Sequence, residues 1–388
     1  MKKKILTLNN ISSQGLDRLP RDGYEVSSEF SRPDAIMLRS FKMHDMEIPD
    51  SLLAVGRAGA GVNNIPVDKM SERGICVFNA PGANANAVKE LVIGGMLLAC
   101  RNLCQAWDYT NKLTGDDAQI SKAVEEGKKK YVGFELPGRT LGIIGLGAIG
   151  VKVANAARSL GMNVIGYDPG ISVKSAWNLS AEVKAATSVD DMIAEVDFIS
   201  LHVPLIAATK NIINADRIAK MKKTAVILNF ARDGIVDDEA VLAALEEHRL
   251  HAYVTDFPSN QLKDRQGVIA LPHLGASTHE AEQNCAVMVA DQLKDYLENG
   301  NITNSVNFPE VNMARATDYR LAVVNANVPD MVGQISHILG ANDLNIHHMV
   351  NESRNGIAYT LIDLDKPADE QVITGIKAIE GVLAARAL

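Results

Sequence analysis

The sequence is short of cysteine and has no long apolar run. Four cysteines among 388 residues are too few for a disulfide framework, so we expect a reduced, cytoplasmic protein. The most apolar stretch, Leu91–Cys100, is ten residues long and contains two glycines, whereas a membrane-spanning helix needs about 20 residues. Behind the basic N-terminus, the apolar run Ile5–Leu8 is too short for a signal peptide. These absences predict a protein without a membrane partner.

An excess of positive charge is also missing. The formal net charge is −8, which argues against a general nucleic-acid-binding surface but not against a local basic pocket. Hydrophobic residues make up 47% of the chain and charged residues 22%, which is the balance of a globular protein with a large core. At about 150 residues per domain, the length predicts two or three domains.

Apolar runs of strand length alternate with helical segments over most of the chain. Four runs in the first hundred residues predict a small parallel α/β unit. They are Ile5–Leu8, Ala35–Leu38, Leu53–Val55 and Ile75–Phe78. From Arg139 onwards, six runs alternate with helices and predict a doubly wound parallel sheet. They are Leu141–Ile144, Asn163–Tyr167, Phe198–Val203, Ala225–Asn229, Ala252–Thr255 and Val268–Leu271. The polar, lysine-rich residues 115–131 are predicted to be a solvated segment between the two units.

The last seventy residues have a different order of elements, β-α-β-β-α-β, which predicts a ferredoxin-like module. The predicted strands are Arg320–Asn327, Ile346–Val350, Ile357–Leu364 and Val382–Arg386. The predicted helices are Met331–Gly340 and Glu370–Ile379. Between the two central strands, Arg354-Asn355-Gly356 is a strong hairpin signal.

The segment Gly145–Gly150 reads Gly-Leu-Gly-Ala-Ile-Gly, follows a predicted strand and opens an apolar helix. In this setting G-x-G-x-x-G is typical of dinucleotide binding: Gly145 permits a tight turn and Gly147 a close approach of the pyrophosphate, while Gly150 lets the helix pack. Asp168 ends the next strand, where a carboxylate accepts hydrogen bonds from a ribose diol and repels a 2′-phosphate. NAD is therefore predicted rather than NADP. The alternative is a glycine-rich structural turn.

Two side chains that suit 2-oxo acid chemistry follow predicted strands of the same sheet. Arg232 comes just after Ala225–Asn229 and His273 just after Val268–Leu271, so both lie at the carboxyl edge where α/β proteins bind ligands. A guanidinium binds a carboxylate bidentately, and an imidazole, with an unperturbed pKa of about 6.5, exchanges a proton with a substrate oxygen. Together they predict hydride transfer between NAD and a 2-hydroxy acid. For either residue alone, the alternative is a structural role.

Five segments, in chain order, resemble the D-isomer specific 2-hydroxyacid dehydrogenase family. They are Lys89–Gly94, Gly145–Gly150 with Asp168, His202–Pro204, Asn229–Asp237 and Pro272–Thr278. The resemblance implies an α/β protein in which a Rossmann-type doubly wound parallel sheet is inserted in a smaller flavodoxin-like substrate domain. A C-terminal ferredoxin-like βαββαβ module of the ACT type follows. The implied bounds are 1–98 with 282–308 for the substrate domain, 99–281 for the NAD-binding domain, 309–318 for a linker and 319–388 for the ACT domain.

The resemblance also implies which residues contact NAD. They are Gly145, Gly147, Ala148, Ile149, Gly150, Asp168, His202, Val203, Pro204, Ala231, Asp256 and Gly275. Arg232 and His273 become the catalytic residues of an enzyme. Asp256 matches the residue that contacts the nicotinamide carboxamide, with a turn or helix cap as its alternative.

The implied reaction is oxidation of 3-phospho-D-glycerate to 3-phosphohydroxypyruvate, the first step of L-serine biosynthesis. A chain of net negative charge needs local cations to hold this small anionic substrate, and Arg39, Arg57 and, less directly, Lys42 match positions that do so. Backbone N–H groups of the loop Gly59, Ala60 and Gly61 are the expected partners of the substrate carboxylate. The alternative for the three cations is a solvated surface role.

One departure from the family pattern concerns His273. A glutamate that orients this histidine usually follows the Asp256 position, but here the stretch reads Asp256-Phe257-Pro258-Ser259-Asn260. Asn260 falls nearest to the missing residue, and Asp264 is the nearby carboxylate in sequence. We therefore predict that Asn260, a neutral partner, orients His273, which is then less basic than in a His–Glu pair.

In the ACT-type module, Asn327 and Asn345 match positions that bind L-serine in serine-responsive relatives, and nearby Asn325 falls at a position that is often histidine there. The three residues predict L-serine as an effector. The alternative is a module that only extends a sheet across a subunit interface. Domain closure and pairing of such modules favour a homodimer or homotetramer. No metal site is predicted. Two other functions stay open: a reductase of glyoxylate, hydroxypyruvate or another 2-oxo acid, and a non-catalytic NAD-sensing scaffold.

Overall fold

The computed structural model describes residues 2–388; Met1, which begins the predicted substrate domain, lies outside the described residues. The chain forms two compact units. One consists of the described residues up to Asn84 together with His279–Leu388, and the other of Ala85–Thr278. Among the described residues, every helix is too short or too polar to span a bilayer.

The first unit begins with a five-stranded parallel sheet. Its strands are β1 (Lys3–Leu8), β2 (Tyr24–Ser27), β3 (Ala35–Leu38), β4 (Ala54–Arg57) and β5 (Cys76–Phe78), in the order β2-β1-β3-β4-β5. Its short helices are α1 (Ser13–Leu16) and α2 (Val67–Glu72). Four strands match predicted apolar runs. The pattern does not predict β2, because Tyr-Glu-Val-Ser is half polar, as suits an edge strand with one solvated face.

The second unit is built on a seven-stranded parallel sheet. Its helices are α3 (Ala85–Cys100), α4 (Leu103–Asn111), α5 (Asp117–Gly127), α6 (Ala148–Ser159), α7 (Val173–Asn178), α8 (Val189–Ile193), α9 (Ala215–Lys220) and α10 (Asp238–Glu246). Its strands are β6 (Thr140–Ile144), β7 (Asn163–Tyr167), β8 (Lys184–Ala185), β9 (Phe198–Leu201), β10 (Val226–Asn229), β11 (Ala252–Thr255) and β12 (Val268–Ala270). The order β12-β11-β10-β9-β6-β7-β8 reverses between β6 and β9, which is the switch point where such sheets bind nucleotides. The predicted doubly wound sheet is confirmed, with the short β8 added at one edge.

Helix α3 is buried in the core of the second unit, because it is apolar on most of its surface. Val88, Val92 and Met96 pack there with residues of α6, β10 and β11. The predicted domain bounds divide this helix at residue 98, and those bounds stay a prediction.

Residues 115–131 are largely exposed, but most of them are helical. Helix α5 begins with a capping box: the Asp116 carboxylate accepts the backbone N–H of Gln119 at 2.9 Å, and the Gln119 side chain accepts the N–H of Asp116 at 3.0 Å. This exchange satisfies donors that the first helical turn leaves unpaired. A 3-10 turn, Lys128–Tyr131, follows the helix.

The first unit ends in a four-stranded antiparallel sheet. After the long helix α11 (His279–Asn299) come β13 (Tyr319–Ala326), α12 (Met331–Ala341), β14 (Ile346–Arg354), β15 (Ile357–Leu364), α13 (Glu370–Lys377) and β16 (Val382–Ala387). The sheet order is β14-β15-β13-β16. This is the predicted β-α-β-β-α-β module, and Asn355 takes a left-handed φ of +55° in the hairpin.

One hydrophobic core joins this C-terminal module to the N-terminal sheet. Ile5 and Phe78 of the parallel sheet belong to the same buried cluster as Tyr359 of β15. An ion pair with no solvent exposure lies nearby: Arg320 Nε is 2.6 Å from Asp363 Oδ1. Arg320 Nη2 also donates to Asp363 Oδ2 at 3.0 Å. Its two terminal nitrogens bond in addition to backbone carbonyls of residues 299, 313 and 314, so the segment before β13 is fixed to the module.

Candidate active site

The glycine loop after β6 has the geometry that its sequence predicts. Gly145 has a φ of +92°, and a Cβ there would lie 2.5 Å from the carbonyl oxygen of His202. A Cβ at Gly150 would lie 1.9 Å from the carbonyl oxygen of Gly145. At Gly147, by contrast, a Cβ would meet no atom of the described chain within 4 Å. Two glycines are therefore required by the fold, and the third leaves space above the loop.

Helix α6 begins at this loop, with Gly147 as its N-cap. The backbone N–H groups of the first turn, which includes Ala148 and Ile149, have no acceptor within a helix. They add to the positive end of the helix dipole and attract phosphate. The residues present therefore fit the pyrophosphate of a dinucleotide.

The Asp168 carboxylate is held beside the loop by two backbone donors. Its Oδ2 accepts the N–H of Leu146 at 2.7 Å, and its Oδ1 accepts the N–H of Gly170 at 2.9 Å. Each carboxylate oxygen has a further lone pair, so Asp168 keeps acceptors for a ribose diol while its orientation is fixed.

The segment after β9 packs against the same loop. A Cβ at Gly145 would also approach Val203 Cγ1 to 2.9 Å. His202 Nε2 is 2.9 Å from Ser200 Oγ, and burial lowers the pKa of His202 to about 4. His202 is therefore neutral at pH 7. Val203 is half-buried, and Pro204, the third residue of this segment, is exposed.

Arg232 follows β10 on a turn that Asn229 organises. The Asn229 side-chain amide donates to the carbonyl oxygen of Arg232 at 2.9 Å and accepts the N–H of Ala231 at 3.2 Å. The Arg232 guanidinium is exposed and donates through Nη1 to the Ala231 carbonyl at 2.7 Å. A buried amide thus shapes the backbone that presents the guanidinium.

His273 follows β12 and packs on an aromatic ring that the sequence reasoning missed. Its ring centroid is 4.9 Å from that of Phe257. The next two residues, Leu274 and Gly275, donate backbone N–H groups to Asp256 Oδ2 at 3.1 and 3.2 Å. Asp256 is only 1% exposed; burial raises its pKa, while the charge of His273 and these N–H groups act in the opposite direction.

Asn260 is exposed, and within residues 2–388 it makes no hydrogen bond to His273. Its predicted orienting role stays a prediction without a contact behind it. Arg232, Asp256 and His273 follow β10, β11 and β12, which are neighbouring parallel strands. All three residues therefore come to the carboxyl edge of one sheet, as predicted for the first and last of them.

The predicted substrate residues of the first unit lie at the ends of β3 and β4 and in the segments that follow them. Arg39 Nη1 is 2.6 Å from Glu282 Oε1 of α11, a partner that only the fold reveals. Arg57 Nε donates to the Arg39 carbonyl at 3.1 Å. Arg57 Nη1 lies so close to Gly59 that a Cβ on that glycine would be 2.1 Å from it. The two arginines are thus adjacent, while Lys42 is exposed.

The loop after Arg57 is anchored by its carbonyl groups. Gly59 accepts the N–H of Ala80 at 3.0 Å, and Ala60 accepts the Asn79 side chain at 2.6 Å. In the part of the chain that the structure describes, the N–H groups of Ala60 and Gly61 have no internal acceptor. Their donors are therefore available to an anion.

In the C-terminal module the three predicted effector residues fall at two ends of the sheet. Asn325 is buried at the end of β13, its Oδ1 without a partner in the described residues, and Asn327 follows it. Asn345 lies beside Asp365, at the other end of β15. Eight residues of strand separate the two ends, about 25 Å. Across residues 2–388, no cluster of three or more His, Cys, Asp or Glu side chains suits a metal ion.

Comparison with known proteins gives the family. A model described as D-isomer specific 2-hydroxyacid dehydrogenase, NAD binding domain, matches residues 93–281. A D-3-phosphoglycerate dehydrogenase of Haemophilus influenzae is 33% identical over 382 residues, which are 95% of this chain and 89% of that protein. Another, from Methanocaldococcus jannaschii, is 39% identical over 323 residues, 80% of this chain but only 58% of that longer protein.

A crystal structure agrees with these sequence matches. The NAD⁺-bound 3-phosphoglycerate dehydrogenase of Entamoeba histolytica superposes with a TM-score of 0.61 at 26% identity, covering 79% of this chain and 99% of that one. The predicted fold class and the predicted cofactor, NAD, are confirmed. The chain belongs to the D-isomer specific 2-hydroxyacid dehydrogenase family.

Proposed function

We propose that the protein is an enzyme that oxidises 3-phospho-D-glycerate to 3-phosphohydroxypyruvate with NAD, the first step of L-serine biosynthesis. The observation that carries the proposal is the placement of Arg232 and His273 at the carboxyl edge of the sheet that also bears the glycine loop. Relatives named D-3-phosphoglycerate dehydrogenase, at 33% and 39% identity, support the choice of substrate.

The second unit supplies the groups for cofactor binding and proton transfer. NAD, when bound, provides the acceptor for the hydride that leaves C2 of the substrate. The N–H groups around Gly147 hold the phosphates and Asp168 holds the ribose. His273 takes the proton of the C2 hydroxyl as the carbonyl forms, and returns it in the reverse direction. Arg232 binds the carboxylate next to that carbon, and its positive charge stabilises the negative charge that develops on the C2 oxygen as the proton leaves.

The remaining cofactor contacts of this proposal line the same sheet edge. They are Ala148, Ile149, His202, Val203, Pro204, Ala231, Asp256 and Gly275. In the first unit, Arg39 and Arg57 bind substrate carboxylate or phosphate, with Lys42 as a further cation, and the free N–H groups of Ala60 and Gly61 bind the carboxylate.

The test is NADH formation by the purified full chain with 3-phospho-D-glycerate, followed by NADH consumption with 3-phosphohydroxypyruvate, glyoxylate and hydroxypyruvate. We expect a kcat/KM for the phosphorylated pair at least 100-fold above that for the others, because two arginines face one small anion. Equal rates with glyoxylate would indicate a general 2-oxo acid reductase. Binding of NAD without turnover of any of them would indicate a sensing scaffold.

Matched variants separate the catalytic roles from general damage. His273→Gln and Arg232→Met should each lower kcat/KM by a factor of 100 or more, of the order found for general acid–base groups. His337→Gln and Arg265→Met change exposed residues of the same types and should leave kcat/KM unchanged.

We further propose a cytoplasmic homodimer or homotetramer that responds to L-serine. Four unpaired thiols agree with a reducing compartment. Because Asn345 is about 25 Å from Asn325 and Asn327 along β15, one serine molecule contacts all three positions only if two copies of the module pair. Light scattering with and without L-serine, combined with serine inhibition of the wild type and Asn345→Ala, tests both statements.

A further inference from the structure

We infer that Asp256 is the charged partner of His273, positioning the imidazole and stabilising its protonated form in place of the missing family glutamate. This inference rests on the proposed function, since it assigns a task to the acid–base residue of that reaction. It replaces Asn260, the neighbour suggested by sequence position, with a residue that the fold brings to the histidine.

The first observation is the link through the backbone. Asp256 Oδ2 accepts the N–H groups of Leu274 and Gly275, at 3.1 and 3.2 Å. These two residues follow His273 directly, so the carboxylate fixes the peptide on which the imidazole is carried. Asn260 has no comparable bond among the described residues and is exposed to solvent.

The second observation is the contact between the two rings. Phe257, next to Asp256, lies 4.9 Å from the His273 ring at an interplanar angle of 57°. Adjacent residues at the end of β11 therefore hold both the backbone and the ring of His273. A packed ring has fewer rotamers available, which keeps the proton-accepting nitrogen in one place.

The third observation is the charge itself. Asp256 is buried, and its second oxygen, Oδ1, has no hydrogen-bond partner in residues 2–388. A buried carboxylate with an unused acceptor favours a nearby cation. A protonated His273 imidazole would act on Asp256 in this way, since its charge lowers the pKa of the carboxyl group while burial raises it.

The charged side chains on two segments beside this pair are either paired with each other or exposed. Helix α3 presents the apolar Val88 toward Gly275, and the neighbouring Lys89 and Glu90 pair with each other. On the segment between β11 and β12, Asp264 is exposed, so water and ions screen it. Asp256 therefore provides the unscreened negative charge.

The experiment follows the His273 imidazole directly. The ¹³Cε1 signal of His273, assigned by its loss in His273→Gln, is titrated by NMR in the cofactor-free full chain. Asp256→Asn removes the charge but keeps an oxygen for the two N–H groups. We expect its imidazole midpoint to fall by about one pH unit. Asp264→Asn, the matched control, removes an exposed carboxylate at a φ of +58° that asparagine accepts, and should leave the midpoint unchanged.

A second readout is the pH profile of kcat/KM for 3-phospho-D-glycerate oxidation, whose acidic limb should move to lower pH by the same amount in Asp256→Asn. Asp256→Ser, another neutral variant with an accepting oxygen, takes its place if Asp256→Asn does not fold. An unchanged NMR midpoint, or a rise in the KM for NAD with no movement of either midpoint, overturns the inference. Failure of the wild type to form NADH would instead overturn the proposed function, while the NMR titration would still decide the pairing.

Discussion

The carboxylate of Asp168 and the backbone N–H of Leu146 form a 2.7 Å hydrogen bond, which ties the acidic residue at the end of β7 to the loop that follows β6. The proposed ribose site and the proposed phosphate site are thus held together before any cofactor binds. Preorganisation of this kind lowers the entropy lost on binding.

Asp168→Asn should weaken discrimination between NAD and NADP. The charge that repels a 2′-phosphate is removed, while an amide oxygen still accepts the Leu146 N–H. We expect the KM for NAD to rise about tenfold, as for loss of a charge-assisted hydrogen bond, and the KM for NADP to fall. Steady-state rates with both cofactors check this, with the exposed Asp216→Asn as control. An unchanged ratio of the two KM values would refute the role of Asp168.

Two glycines of the same loop should respond differently to alanine. A methyl group at Gly150 lies 1.9 Å from a backbone oxygen, so Gly150→Ala should lower the free energy of unfolding by about 2–3 kcal/mol. Gly147→Ala meets open space and should change it by less than about 0.5 kcal/mol. The methyl group of Gly147→Ala would occupy the space above the loop where the cofactor phosphates are proposed to bind, so the KM for NAD should rise about tenfold. Urea unfolding and NAD kinetics of both variants provide the measurement. Equal stability losses would contradict this division.

His202 should make the fold sensitive to mild acid. Its pKa in the folded chain is about 4 because it is buried, compared with about 6.5 when unfolded. The unfolded state therefore binds the proton first, and stability present above pH 6.5 is lost as the pH falls toward 4. The loss attributable to this group approaches about 3 kcal/mol. His202→Gln should flatten this part of the profile, measured as the difference in urea unfolding between pH 7.5 and pH 4.5. Parallel profiles for the two proteins would show that folding does not change the pKa of His202.

Replacing one member of the buried pair Arg320–Asp363 should destabilise the fold. Replacing both members with apolar residues should cost little stability. Burial opposes the charge of Asp363, but hydrogen bonds from Arg320 and Ala316 lower its pKa. Asp363→Asn or Arg320→Met should each cost about 3–5 kcal/mol, because one charge is left buried and unpaired. The double variant Arg320→Met with Asp363→Leu should recover most of this loss. A double variant as unstable as the sum of the single ones would show that the pair is needed for its hydrogen bonds to the backbone.

The sequence predicts those parts of the molecule that depend on neighbouring residues along the chain. Strand and helix periodicity locates six of the seven strands of the second unit, and the spacing of glycines in Gly145–Gly150 identifies the dinucleotide loop. The short edge strands β2 and β8 escape prediction, because their few residues carry no clear apolar alternation.

Local sequence patterns do not predict contacts between residues that are brought together only by tertiary structure. Counting along the chain from Asp256 points to Asn260, but the backbone after β11 turns so that Asp256 faces inward and Asn260 faces solvent. In the same way, Glu282 follows Arg39 by more than two hundred residues and contacts it only because α11 packs beside β3 and β4. The sequence motifs therefore identify the residues proposed to react, whereas only the fold shows which residues orient them.

The common core of the N-terminal sheet and the C-terminal module restricts how this protein is engineered. Tyr359 of β15 stacks near Tyr296 and Phe308, with ring centroids 6.4 and 6.2 Å away. A chain ended at residue 318 would expose to water the sides of these two rings that the module covers. Trimming the C-terminal module to obtain a minimal enzyme therefore demands a new polar surface on the part that remains, and transplanting the module onto another dehydrogenase demands an apolar surface on the recipient.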